Sequence, residues 1–138
     1  MNITHLLDTS VYCQPLKRHP LPSVIKRWED IGDQSLCISI FCETEVLQSL
    51  EMKESERLWY AYKSILKDRI PIIPFNIKSA KIYAALQSEY IKKGNVRPIF
   101  DLLIASTALT HNLILATCNY KDFCDIPDLR IEEWSARK

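Results

Sequence analysis

Four carboxylates stand where apolar stretches of this chain break off. Asp8 follows Ile3-Thr4-His5-Leu6-Leu7, and Asp101 opens Leu102-Leu103-Ile104-Ala105. Asp122 comes shortly after Leu113-Ile114-Leu115-Ala116, and Glu45 lies inside the largely apolar run from Ile38 to Leu50. A buried acid is costly unless it is hydrogen-bonded, paired or bound to a cation. Acids drawn together from distant stretches therefore point to a divalent-metal site. Hard oxygen ligands select Mg²⁺ or Mn²⁺ over zinc. Such an ion orients water, lowers its pKa and stabilises charge on a phosphoryl oxygen, so metal-assisted phosphodiester hydrolysis is the chemistry implied.

The surrounding residues sharpen this reading unevenly. Asp8 in Asp8-Thr9-Ser10 is a helix cap or a site acid, and Thr9 or Ser10 would orient it or hold a metal-bound water. Asp101 falls in the first turn after Pro98, where the helix dipole alone favours a carboxylate. It also shares a face with Ile104, Ala105 and Ala108 at i, i+3, i+4, i+7 spacing, which turns it toward packed structure. Glu45 shares its helical face with Ile38, Phe41 and Met52, while Glu43 falls between Leu47 and Leu50, so periodicity does not choose between the two acids. In Thr117-Cys-Asn-Tyr-Lys-Asp-Phe123, Asn119 and Asp122 form either an Asx turn or an amide and a carboxylate beside the other acids.

Elements that position these residues follow from the pattern. With only two glycines, Gly32 and Gly94, tight hairpins are disfavoured. Strands are expected at Thr4–Leu7, Leu36–Ile38, Ile70–Pro74 (an edge strand bracketed by prolines), Leu113–Ala116 and Leu129–Ile131. Helices are expected after Pro22 up to Gly32, over Ser39–Glu51 and Ser55–Leu66, from the Asn76 cap to Gly94, and from Pro98 to His111. A short turn or helix surrounds Lys121–Phe123. This alternation predicts one domain over residues 1–138, a three-layer α/β/α fold with a mainly parallel sheet of four to five strands. In such sheets ligands bind beyond the carboxyl ends of the strands, which is where Asp8 and Asp122 fall.

Composition narrows the function classes. Of 138 residues, 47% are hydrophobic and 25% charged, with a net charge of +1, so any attraction for phosphates must come from local patches. The candidates are Lys17-Arg18-His19, Lys26-Arg27, Lys92-Lys93 with Arg97, and Lys121. Five cysteines without paired spacing, and no secretory signal, predict a reducing cytoplasm. No CxxC or HxxxH spacing supports a zinc site from Cys118, Cys124 and a histidine. No apolar stretch is long enough to span a bilayer. Trp28, Trp59, Tyr60 and Tyr62 are candidates for the core and for an interface.

Taken in order, four segments resemble the PIN domain: His5-Leu-Leu-Asp-Thr-Ser10, Ile38-Ser-Ile40 through Glu45, Phe100-Asp-Leu-Leu-Ile-Ala-Ser-Thr-Ala108 and Ala116-Thr-Cys-Asn-Tyr-Lys-Asp-Phe123. The closing Leu129-Arg-Ile-Glu-Glu-Trp134 resembles the tail of its VapC-like toxin branch. The resemblance implies that Asp8, Glu45 and Asp101 are the three core catalytic and metal-binding acids. It assigns Asp122 to the more variable fourth position, with Thr9, Ser10, Thr117 and Asn119 in support. It also favours Glu45 over Glu43. Two positions depart from the pattern: Ser10 stands where many relatives carry Asn, and Cys118 where Arg is frequent. The implied activity is that of a Mg²⁺- or Mn²⁺-dependent endoribonuclease, the toxin of a type II toxin–antitoxin pair. Its implied partners are RNA, a cognate antitoxin and a second copy of itself. A housekeeping nuclease in RNA processing and a non-catalytic binding module are the alternatives.

Overall fold

The structure is a computed structural model that describes residues 2–135. Five strands, β1 (His5–Leu7), β2 (Leu36–Ser39), β3 (Ile72–Ile73), β4 (Ile114–Thr117) and β5 (Ile131–Glu133), form one sheet in the order β3-β2-β1-β4-β5. Every neighbouring pair is parallel. The chain builds outward from β1 through β2 to β3, then returns across the sheet to β4 and β5. That reversal creates a crevice at the carboxyl ends of β1 and β4, where ligands bind in open parallel sheets. Helices cover both faces, so β1 and β2 are buried along their length, as strands shielded on two sides require.

Local chemistry sets most helix ends. The helices are α1 (Thr9–Tyr12), α2 (Pro22–Ile31), α3 (Ile40–Lys53), α4 (Glu56–Ala61), α5 (Ile77–Lys92) and α6 (Ile99–Thr110). Pro22 opens α2, and Gly32 ends it at φ 90°, a value that a side chain would oppose. The Ser39, Ser55 and Asn76 side chains accept from the backbone N–H groups of Cys42, Leu58 and Ser79, capping α3, α4 and α5. As expected, Ile72–Ile73 is an edge strand. No helix among the described residues is long and apolar enough to cross a membrane.

Four differences from the sequence reading have physical causes. The short helix α1 went unread, because four residues are too few to show periodicity. The helix read as continuous from Ser55 to Leu66 widens into a π turn at Tyr62–Leu66, closed by Lys67 N–H donating to Tyr62 O at 2.9 Å. The extra residue in that turn leaves Ile65 exposed while Tyr62 and Leu66 stay buried. Strand β4 ends one residue later than expected, at Thr117. Strand β5 lies two residues later than Leu129–Ile131, with Leu115, Ala116 and Thr117 facing Ile131, Glu132 and Glu133. Its two glutamates hid the strand from a hydrophobicity pattern, yet both are held by hydrogen bonds. Glu132 accepts from Arg27 and Trp134 and meets His5, and Glu133 accepts from Tyr120 N–H.

The aromatic candidates divide. Trp28 is buried, stacked on Tyr12 at 6.4 Å with the Arg69 guanidinium over its ring. Tyr62 is also core, and Tyr60 is 74% exposed. Tyr12 and Tyr62 both donate their hydroxyls to the buried carboxylate of Glu43. Burial and that carboxylate push both phenols above their ordinary pKa, which keeps them as donors. Glu43→Ala would strip the acceptor from two buried hydroxyls and open a cavity. It should cost about 2–4 kcal/mol in a urea titration, with Glu43→Gln costing about 1 kcal/mol.

Candidate active site

Asp8 occupies the first position past β1, at the N-terminus of α1, and is 4% exposed. Its backbone N–H donates to Ala116 O of β4 at 2.8 Å, which ties the two strand ends together. The carboxylate does not cap α1. Instead Ser10 Oγ and Thr117 Oγ1 both donate to its Oδ2 at 2.8 Å. Burial raises the pKa of Asp8, and these two hydroxyls act against the rise. Ser10 does a second job: its Oγ accepts from Cys118 N–H at 3.0 Å. The hydroxyl thus joins the loop after β1 to the loop after β4. Thr117 Oγ1 accepts from Asn119 N–H at 2.9 Å, which shapes the turn leading to Asp122.

Glu45 reaches the same crevice from the first half of α3. Thr9 Oγ1 donates to its Oε1 at 2.5 Å, linking α1 to α3. Glu43, two residues earlier, lies on another face of α3 and is committed to Tyr12 and Tyr62. The structure thereby separates the two acids that periodicity could not. Burial raises the pKa of Glu45, the Thr9 hydroxyl opposes the rise, and the nearby Asp8 charge adds to it.

Asp101 sits in the first turn of α6, half-buried, with Ile104, Ala105 and Ala108 fully buried on its face. Phe100 packs on Phe41 at 6.0 Å, and Phe41 packs edge-on to Phe75 at 4.9 Å, bracing this end of α6 against α3. The pKa of Asp101 is pushed up to about 6, first by burial, then by the charges of Asp8, Asp122 and Glu45. Arg97 only partly opposes them. That coupling brings all four carboxylates into one electrostatic neighbourhood.

Asp122 closes a 3₁₀ turn over Tyr120–Asp122 and is exposed. Its position depends on Arg97, which by sequence alone is one cation of a basic patch. Arg97 holds Asp125 through two bonds of 3.0 and 2.9 Å, lies over the Tyr90 ring, and donates to Asp122 O. Asn119 is exposed beside it and enters the network through its backbone. Gln14 was also missed. Buried, it donates to Ser10 O and accepts from Leu21 N–H, fixing the end of α1. No motif marks it, since only its burial distinguishes it from a surface glutamine.

The donor set is all carboxylate oxygen, suited to a hard divalent cation. Among the described residues, none of the four acids has a Lys, Arg or His partner within ion-pair distance. No three Asp, Glu, His or Cys side chains, as placed, are close enough to share one ion. The acids fit a divalent metal in donor type and in mutual repulsion.

Comparison with known proteins agrees with this fold. The PIN domain family profile matches residues 5–129. Ribonuclease VapC2 of Rickettsia felis is 30% identical over 131 residues, covering 94% of this chain and 97% of the relative. The solved VapBC2 complex from Rickettsia felis, bound to a DNA fragment from its promoter, superposes with a TM-score of 0.80 at 29% identity, over 97% of this chain and 99% of that one. DNA-bound VapBC from Salmonella typhimurium shares the fold, with a TM-score of 0.82 at 24% identity over 96% and 98% of the two chains. On the family match and the Rickettsia felis ribonuclease together, the chain belongs to the PIN domain family and to its VapC branch.

Proposed function

We propose that this chain is a divalent-metal-dependent endoribonuclease, the toxin of a type II toxin–antitoxin pair. One observation carries the reading. Four carboxylates from four separate segments face the sheet's switch point, and burial together with the charges of the other three raises Asp101 to about 6, a rise that Arg97 only partly opposes. Such crowding favours a bound cation, with Mg²⁺ or Mn²⁺ suited to the oxygen donors. When bound, the ion would supply an activated water and charge stabilisation at the phosphoryl group.

The chain's own residues have separate tasks. Asp8, Glu45 and Asp101 would hold the cation, with Asp122 contributing from the exposed side. Ser10 and Thr117 aim Asp8 and favour its charged form against burial, and Thr9 does the same for Glu45. The substrate is RNA, as the name of the Rickettsia felis relative indicates for that protein. The VapBC complexes among its structural neighbours support a cognate antitoxin as partner. Exposed Met52, Tyr60 and Ile77 support a homodimer, and five free cysteines suit the cytoplasm.

Asp8→Asn and Asp101→Asn should each lower Mn²⁺-dependent cleavage of RNA by at least about 100-fold. Both should abolish the growth arrest that wild type causes when expressed without its antitoxin. Undiminished arrest by either variant would refute the assignment.

A stability measurement tests the cost of a charged Asp101, which burial sets first and the neighbouring acids increase. The Asp101 pKa is higher in the folded protein than its ordinary 3.8, so the folded state holds that proton more tightly. Its contribution is complete below about pH 4 and is lost as pH rises through about 6. Asp101→Asn has no such proton to lose. It should therefore stabilise the metal-free protein at pH 7 by about 1 kcal/mol, allowing for solvent screening, with the gain vanishing near pH 4. Added Mn²⁺ should raise the melting temperature of wild type at pH 7 and raise that of the variant less.

A further inference from the structure

A groove of about 330 Å³ runs from the acidic crevice between α1, α3 and α4. Its lining includes Thr9 and Glu45 together with four cations, Lys17, Arg18, Lys53 and Arg57. We propose that this groove is a phosphate-binding subsite, in which those four cations hold the backbone of single-stranded RNA adjacent to the bond being cut. The proposal rests on the nuclease reading above.

Charge distribution is the main argument. The cluster Asp8, Glu45, Asp101 and Asp122 repels a polyanion, so attraction must be built next to it. Several basic residues elsewhere are already committed. Lys26 pairs with Asp30, Arg27 with Glu132, Arg69 with Asp33 and Arg97 with Asp125. Among the described residues, none of the four groove cations has a carboxylate within ion-pair distance. All four side chains are exposed, although they come from three segments of chain. Lys17 and Lys53 converge, since the charges of both favour the thiolate of Cys13 in the groove wall, against the stronger effect of burial. Lys53 Nζ also donates to Ser49 Oγ, which holds it along α3 on the groove side. In a chain of net charge +1 this is a local concentration of positive charge, continuous with the acids that would cut. Contacts of this kind bind any sequence and fix the register of the strand.

The test is fluorescence anisotropy with a labelled single-stranded oligoribonucleotide of mixed sequence, in EDTA, over a range of KCl concentrations. Lys53→Ala/Arg57→Ala should weaken binding about tenfold near 0.1 M salt and flatten the salt slope by about 1.4, the loss of two phosphate contacts. Lys26→Ala/Lys67→Ala removes the same charge outside the groove and should change neither quantity. Equal affinity and slope for wild type and the groove variant would overturn the proposal. So would a groove variant that binds RNA normally but loses a labelled polyglutamate peptide, which would assign the groove to an acidic protein segment. A parallel Mn²⁺ cleavage assay separates the two readings, because a wild type that cuts no RNA defeats the nuclease reading whatever the groove variant does.

Discussion

A carboxylate as deeply enclosed as Asp8 keeps its charge only if something replaces the water it has lost. Two hydroxyls replace part of that water here, Ser10 and Thr117, one from each of the two central strand ends. This requirement constrains much of the architecture around it. Strand β4 must run to Thr117 to deliver the second hydroxyl, and α1 must start at once after Asp8 to deliver the first. Adjacent, parallel β1 and β4 are then needed to bring positions 109 residues apart within hydrogen-bond reach. The topological reversal and the polar network are two aspects of the same constraint.

Helix α3 shows how two acids in one helix meet opposite fates. Glu43 is buried among apolar side chains, and the hydroxyls of Tyr12 and Tyr62 satisfy it fully enough to make it structural. Glu45 keeps an open side toward the crevice and receives a single hydroxyl, from Thr9. A carboxylate with its acceptor capacity largely filled by tyrosines has little left for a cation. One held by a single threonine retains it. Within α3, the tyrosines that claim Glu43 and the single threonine that meets Glu45 separate a structural carboxylate from a candidate ligand.

Legibility in the sequence followed the range of the forces involved. Strands β1, β2 and β4, the capped helices α3 and α5, and α6 behind Pro98 could be read because caps, prolines and apolar runs act locally. Asp8 and Asp101 could be read because each borders an apolar element whose packing direction is set by period. Glu45 could not be separated from Glu43 by period, since the tyrosines that claim Glu43 come from α1 and from the π turn. Resemblance to the PIN domain supplied that choice. Strand β5 was misplaced because the bonds that satisfy Glu132 and Glu133 come from other elements. Arg97 read as a surface cation, and only the approach of Asp125 and Tyr90 made it an anchor.

The placement of Arg97 bears on why the site is left strained. A guanidinium near Asp101 is the natural means of relieving the acids, yet this one is held by Asp125 and turned toward the Asp122 backbone. Directed instead at Asp101, it would form a strong pair and lower the affinity for a metal by occupying the same oxygens. Committed to Asp125, it fixes the segment that carries Asp122 while leaving the acids to repel one another. Buried carboxylates without an ion pair cost folding free energy, and a bound cation would recover it. A site arranged in this way gives up some stability of the free protein in exchange for affinity toward a cation. Its charge then sets the condition for the substrate, since a polyanion can approach only where other cations, or the metal itself, offset the acids.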